Sequence, residues 1–339
     1  MIDVAVSVIM ACHDAERTLA STLRRLAASE FTDFEIIVVD DASNDSSREV
    51  ARRELESFAA ADLIGLDHNV GVAEARNVAL SQARGDYVWF IDADDDMPPT
   101  ALRDLHTAAV EHDADIVFAR ATESDSSLDR VIPIDGLDIE EAVELSVDDV
   151  FASMARGEIR GFLWSKLFRR SVLPPSLFPS LRSQSDFMGL VRALENSRTF
   201  VAIPAFVYDY VRSAGSITTR RDSFAPLLMC ERAFLQAATA RGANLSTADQ
   251  AYFSGGLTLL AGLDSALRTG SWGTLDKRLV RREFRRLSPG GVIQVMRSHR
   301  GIGGRIALAR VSLTGYAIVY RLGRAARGAA TAHRSDAAA

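Results

Sequence analysis

Residues 87–96 read Tyr-Val-Trp-Phe-Ile-Asp-Ala-Asp-Asp-Asp. Five aromatic and aliphatic residues stop at a run of acids. A short apolar run rich in β-formers predicts a buried strand, and its polar end predicts an exit at one edge of a sheet. Downstream, Pro98-Pro99 predicts the start of a helix reaching His112, and Asp115 to Ala119 returns as a strand. Upstream lie a Gly71-led helix to Ala83, a short strand Leu63-Ile64-Gly65-Leu66 and a helix Arg48 to Ala59. Before these come a strand Phe34 to Val39 ending at Asp40-Asp41, an amphipathic stretch carrying Leu19, Leu23 and Leu26, and a strand Val4 to Cys12. Strands that alternate with helices of this length predict right-handed βαβ units and a mostly parallel α/β sheet. The strands are almost continuously apolar, as expected when helices cover both faces. In such sheets ligands bind outside the carboxyl ends of the strands. Those ends carry Asp40, Asp41, Asp92, Asp94, Asp95 and Asp96.

For each acid alone, helix capping is the plainest role. Asp95 or Asp96 fits a cap before Pro98-Pro99, and Asp45 or Ser46 a cap before Arg48. Together the acids repel one another, and a divalent cation offsets that repulsion. One or two carboxylates, completed by water and a diphosphate, are the usual ligands of Mg²⁺ or Mn²⁺. The segment His68-Asn69-Val70-Gly71 lets backbone amides approach an anion at a helix start, and Arg76 follows with a planar fork suited to a base or phosphate.

The chain has 339 residues, 47% hydrophobic and 25% charged, which suits about two packed domains and excludes a disordered or collagenous chain. Cys12 and Cys230 lie in apolar surroundings without metal-ligand spacing and read as buried thiols. The formal charge of −6 is uneven. From position 270 onward fourteen Lys and Arg oppose three acids, a net +11, and the rest of the chain carries −17. Asp3 and the lack of a basic leader argue against a signal peptide. The apolar stretch Ile306 to Tyr320 is interrupted by Arg310 and is shorter than the roughly 20 residues that span a bilayer. A cytoplasmic protein, peripheral on the inner face of the cell membrane, is the expectation.

Taken together, the motifs resemble the family 2 glycosyltransferases of the GT-A fold. Val6 to Asp14 matches the opening strand and turn, although Ala11, His13 and Asp14 stand where that family has Pro, Tyr and Asn. Asp40-Asp41-Ala42-Ser43 matches the second strand end, Asn69 to Asn77 the Asn-x-Gly…Ala-Arg-Asn helix start, and Phe90 to Asp95 the Asp-x-Asp. More weakly, Trp164 to Arg170 resembles a Trp-x-Lys-Leu-Phe-Arg-Arg element on the acceptor side. Gln184-Ser185-Asp186 stands where the family has Glu-Asp, and Val207 to Thr218 resembles its Tyr-x-Tyr-Arg…Ser-Ile-Thr segment.

The resemblance implies a GT-A, Rossmann-like domain over residues 1–220; the residues beyond it read as a helical basic region over 221–328 and a disordered tail over 329–339. It implies an inverting, metal-dependent transfer of a sugar, from a UDP-sugar donor, to a hydroxyl. The acceptor would be an envelope polysaccharide, a polyol-phosphate polymer or a lipid-linked glycan. Ala11, His13, Glu16, Asp41, Asn69, Arg76 and Asp92 would line the nucleotide-sugar site, Asp94 would take Mn²⁺ or Mg²⁺, and Asp186 would be the base. Trp164, Lys166, Arg212 and Ser216 would face the acceptor or diphosphate; for Lys166 a plain surface position is the equal alternative. A scaffold of the same fold that has lost its base is the rival reading. A sugar-phosphate nucleotidyltransferase is an enzyme rival, and the lack of glycine from Ala11 to Arg17 argues strongly against it.

In the last third, Phe224 to Arg241, Thr247 to Arg268, Leu275 to Leu287 and Gly304 to Arg327 read as helices. Lys277-Arg278, Arg281-Arg282 and Arg285-Arg286 form a basic stripe. A solvated face explains such a stripe, but +11 points toward an anionic membrane surface or polyanionic acceptor. Nucleic acid is not expected, since no aromatic interleaving accompanies the charge. An oligomer stays open.

Overall fold

The computed structural model describes residues 4–125, 130–181, 183–212 and 224–336. The chain divides into two compact units. One comprises Met1–Met154, Glu158–Thr218 and Ala233–Ala243; the other comprises Ala155–Gly157, Thr219–Arg232 and Asn244–Ala339.

The first unit is a nine-stranded sheet with helices. In chain order its elements are β1 (Val6–Cys12), α1 (Leu19–Ala27), β2 (Phe34–Asp40), α2 (Ser47–Leu55), β3 (Ala61–Gly65), α3 (Val72–Gln82) and β4 (Tyr87–Asp92). Then follow α4 (Ala101–Glu111), β5 (Ile116–Asp125), β6 (Arg130–Asp135), β7 (Val143–Leu145), α5 (Val147–Arg156), β8 (Lys166–Arg169), α6 (Ser185–Asn196) and β9 (Phe200–Val211). The strand order is β3-β2-β1-β4-β8-β5-β9-β7, with β6 beside β5. β3, β2, β1 and β4 run parallel, and β8 is inserted antiparallel between β4 and β5. The central strands are buried on both faces: Val8, Ile9, Met10, Ile36, Ile37 and Val38 have no exposure. This is the helix-covered sheet that their unbroken apolar sequence calls for. β1 and β4 lie side by side, so Ala11 is level with Asp92 and the acid-bearing end of β4 opens at the same edge as the turn after β1.

The caps differ from expectation. α4 begins at Ala101, and neither Asp95 nor Asp96 caps it. Asp95 instead accepts from the Val211 amide at 3.0 Å. Asp96 bridges to the backbone of Asp209 and pairs with Arg25 at 2.9 Å. Long-range pairing with β9 has claimed acids that local sequence assigned to a helix start. Ahead of α2, Asp45 accepts from the Ser47 amide at 2.9 Å.

The second unit is helical. α7 (Phe224–Ala240) belongs to it as far as Arg232 and to the first unit from Ala233, and is followed by α8 (Thr247–Ala251), a π-helical stretch Tyr252–Leu260 and α9 (Ala261–Arg268). α10 (Lys277–Arg286), α11 (Pro289–Ser298), α12 (Arg300–Val311) and α13 (Leu313–Asp336) complete it. The expected helix over 304–327 is two helices, broken at Ser312, whose backbone is extended. α11 was not anticipated; Ser288 starts it by accepting from the Gly291 amide at 3.3 Å. α13 stays helical through the alanine-rich segment to Asp336, where disorder was expected from 329. Alanine is the strongest helix former, which accounts for that extension. Leu263, Val280, Phe284, Ile306, Leu313 and Tyr316 form this unit's core.

Candidate active site

The turn after β1 is laced to the loop after β2. The Asp14 amide donates to the Ser43 hydroxyl at 3.0 Å, and the Asn44 amide returns a bond to the Asp14 carboxylate at 2.8 Å. The Ser46 amide donates to Glu16 at 3.1 Å, and the Ala15 amide donates to Ser47 at 2.7 Å. Asp14 and Ala42 hold left-handed φ values of 51° and 55°, unusual for residues with a Cβ. Strained backbone of this kind persists where surrounding bonds over-determine it. His13 Nδ1 lies 2.8 Å from the Asp41 carbonyl, so His13 is tied to the second strand end. Ala11 sits in β1 beside these groups.

Asp41 is buried, and both its oxygens accept backbone amides: Val70 at 2.7 Å and Gly71 at 2.8 Å. Asn69 donates to the Asp41 carbonyl at 3.4 Å. Asp41 therefore fixes the glycine turn. Gly71 has φ 88°, a conformation open to glycine at little cost.

α3 then carries two consecutive side chains to different tasks. Arg76 has a side chain only 4% exposed. One guanidinium nitrogen donates to Asp92 at 2.6 Å, and the other donates to Asp186 at 2.6 Å. Its Nε has no partner among the described residues, and the guanidinium lies 5.8 Å from the Phe178 ring centroid. Asn77 donates to the Phe178 carbonyl at 2.8 Å and accepts from the Phe178 amide at 3.0 Å. That pair anchors the segment leading to α6, in whose first turn Asp186 lies. Ser185 also donates to Asp186 at 3.1 Å. Asp186 is inside the helix and is not its cap; Gln184 occupies that position, in a left-handed conformation.

Burial raises the pKa of Asp92; Arg76 opposes the rise and the charge of Asp186 adds to it. Burial, then the charge of Asp92, raises Asp94. Asp95 is pushed up to about 8 by burial, then by Asp92 and Asp94, against the Val211 amide. One Asp95 oxygen is buried without a hydrogen bond among the described residues. For Arg76, burial pulls downward and the carboxylates of Asp186 and Asp92 outweigh it, so the guanidinium stays charged. Tyr208 falls in the Val207 to Thr218 element, where sequence reasoning assigned it no role at the site. Its hydroxyl accepts from the Asp92 amide at 2.9 Å, and burial, then Asp95, raises it well above the usual phenol range.

The carboxylate of Asp94 is exposed beside this acid cluster. Among the described residues no group of three His, Cys, Asp or Glu could hold a metal by itself. Burial and then Asp92 raise this carboxyl, and a hard cation that draws its other ligands from a diphosphate and water would offset both.

The expected acceptor-side residues scatter. Lys166 is 1% exposed and bonds to Asp135 at 2.7 Å and to Ser165 at 2.9 Å. It lies neither on the surface nor free for a ligand, because Asp135 of β6 is carried beneath it. Trp164 is buried, stacked on Phe162 at 4.5 Å and on Tyr208 at 4.8 Å between ring centroids. Arg212 is exposed and pairs with Glu123 at 3.1 Å. Ser216 lies outside the described residues.

Residues 7–144 match the family described as glycosyl transferase family 2. The putative glycosyltransferase EpsH of Bacillus subtilis is 31% identical over 173 residues, covering 50% of this chain and 48% of that protein. The poly(ribitol-phosphate) beta-N-acetylglucosaminyltransferase TarS of Staphylococcus aureus is 31% identical over 116 residues, covering 34% of this chain and 20% of that protein. The chain spans a third to a half of the first curated relatives it matches, 33%, 48% and 49% of their lengths. The crystal structure of S. aureus TarS 1–349 with UDP-GlcNAc superposes with a TM-score of 0.68 at 21% identity, covering 95% of this chain and 92% of that one. That likeness shows a shared fold.

Proposed function

We propose, because residues 7–144 match glycosyl transferase family 2, that the chain transfers a sugar from a UDP-sugar to a hydroxyl acceptor with inversion, using residues 1–220. The observation that carries this reading is the Arg76 fork. It brings Asp92, at the end of β4, and Asp186, in the first turn of α6, to a single guanidinium at 2.6 Å each. One carboxylate on the acceptor side is what a single displacement needs, and the fork holds Asp186 there beside the donor-side Asp92. The acceptor oxygen attacks the anomeric carbon, the bond to the diphosphate oxygen breaks, and Asp186 receives the hydroxyl proton. No enzyme nucleophile takes part. A positioned base of this kind contributes about 10²–10⁴-fold.

Asp92 faces the ribose and sugar, with its backbone held by Tyr208. Asp41 shapes the turn Asn69–Gly71 that meets the nucleotide, with Ala11, His13 and Glu16 on the laced turn opposite. Asp94 would hold Mn²⁺ or Mg²⁺, which supplies charge neutralisation for the departing diphosphate. The relatives support a UDP-N-acetylhexosamine donor and a polyol-phosphate or envelope-glycan acceptor, since one is a poly(ribitol-phosphate) beta-N-acetylglucosaminyltransferase.

The test is release of UDP from UDP-GlcNAc in the presence of Mn²⁺, with and without Asp186→Asn. Asn keeps shape and hydrogen bonding but takes no proton. The variant should bind UDP as the wild type does and turn over roughly 10²-fold more slowly. Wild-type turnover by Asp186→Asn would place the base elsewhere. No turnover by the wild type across a panel of nucleotide sugars would favour the scaffold.

A further inference from the structure

Helix α13 is apolar on two opposite sides. Leu313, Tyr316 and Ala317 are buried in the core of the helical unit. Ile318, Val319 and Leu322 are 53%, 55% and 66% exposed. At 3.6 residues per turn, Ile318 and Leu322 stack one turn apart with Val319 beside them, on the side facing away from Leu313 and Tyr316. Arg321 and Arg324 are exposed on the same helix. Val311, at the end of α12, is 86% exposed. A surface helix ordinarily turns polar residues outward, so this outward face lacks a partner of its own chemistry.

The charge of this stretch of sequence is of one sign. Between Glu283 and Asp336 the sequence holds ten arginines and no acid. We propose that the outward face of α13 lies on an anionic lipid surface. Ile318, Val319 and Leu322 enter the boundary between headgroups and acyl chains, and Arg321, at the edge of that face, meets the phosphates. Interfacial helices bury such a face by about 5–10 Å, with basic residues at the rim. Each arginine near an anionic surface gains roughly fivefold in partition. Among the described residues no helix is long and apolar enough to cross a membrane, so the contact is one of lying on the surface.

A second copy of the chain fits the patch poorly. Symmetric pairing sets a surface against itself, and here it would set arginines against arginines with no acid between them. The basic stripe of α10 differs in kind. Its exposed side chains are arginines without apolar neighbours, and Arg282 and Arg286 pair with Glu283 at 3.2 Å and 2.8 Å. That stripe is a solvated face. The proposal is independent of the transfer reaction.

The full chain is sedimented with vesicles of equal phosphatidylglycerol and phosphatidylcholine, and with vesicles of phosphatidylcholine alone, at about 0.1 M salt. Recovery is expected with the anionic vesicles only, falling as salt rises. The triple variant Ile318→Ser, Val319→Ser, Leu322→Ser should lose at least about tenfold in partition. Arg321→Ala should lose roughly fivefold. All these side chains are exposed, so melting temperatures should stay within about 2 °C of wild type. Wild-type protein left in the supernatant, equal recovery on neutral vesicles, or undiminished recovery of the triple variant overturns the proposal. So does light scattering that finds a wild-type dimer and a monomeric triple variant, which would assign the face to a second copy.

Discussion

Replacing Arg76 by Met separates two roles that the same arginine could have. Met keeps the stem and its contact with Phe178 and removes the fork. If Arg76 served only the nucleotide, the loss would weaken donor binding and leave the fold intact. The structure predicts otherwise. The side chain is 4% exposed and holds two carboxylates at 2.6 Å. Removing one member of a buried ion pair costs about 3–5 kcal/mol, because the charges left behind have no compensation. For a unit of this size each kcal/mol moves the melting temperature by about 2–4 °C, so a fall of roughly 6–20 °C is expected. Asp92, already raised by burial and by Asp186, loses the guanidinium that opposes them and should bind a proton more readily still. Scanning fluorimetry across pH measures both effects. Adding Asp186→Asn to Arg76→Met removes one of the two stranded charges and should recover part of the lost stability, a non-additivity typical of residues in one network. Arg76→Met melting within about 1 °C of wild type, with weaker UDP binding alone, would refute the bridging role.

Lys166→Met strands Asp135 in the interior and should cost about 3–5 kcal/mol, whereas Lys166→Met with Asp135→Leu should recover most of it; a stable Lys166→Met with a raised acceptor KM would restore Lys166 to the acceptor side. Asp95 has its pKa raised from 3.8 to about 8, so the folded state binds the extra proton and this contribution to stability is present at low pH and lost as pH rises toward 8. In chelator, Asp95→Asn should therefore flatten the fall in melting temperature between about pH 4 and 8; an unchanged profile would show that Asp95 titrates normally. Asp94→Asn should abolish the thermal shift that Mn²⁺ with UDP produces in the wild type while leaving the metal-free melting temperature within about 2 °C, and an undiminished shift would place the metal on other ligands.

What the sequence disclosed follows the range of the interactions involved. The sheet, its strand ends and the Asp92-Ala93-Asp94 edge were legible because alternation, apolar runs and turn residues act within about ten positions of one another. The partners were not. Arg76 meets Asp186 across 110 positions, and Asp96 meets Asp209 only because β9 returns along the edge of the site. Lys166 shows the same limit: a lone lysine between Ser165 and Leu167 gives no local sign that Asp135 will be delivered beneath it. Periodicity has a further blindness, which α13 exposes. Leu313, Tyr316 and Ala317 recur at helical spacing, and so do Ile318 and Leu322. Spacing reports that a set of residues shares a face and is silent on whether that face turns toward the core or away from it. Only the packing of α12 and α13 separates the two sets. The inward set explains why the helix forms, and the outward set is the face assigned above to a lipid surface.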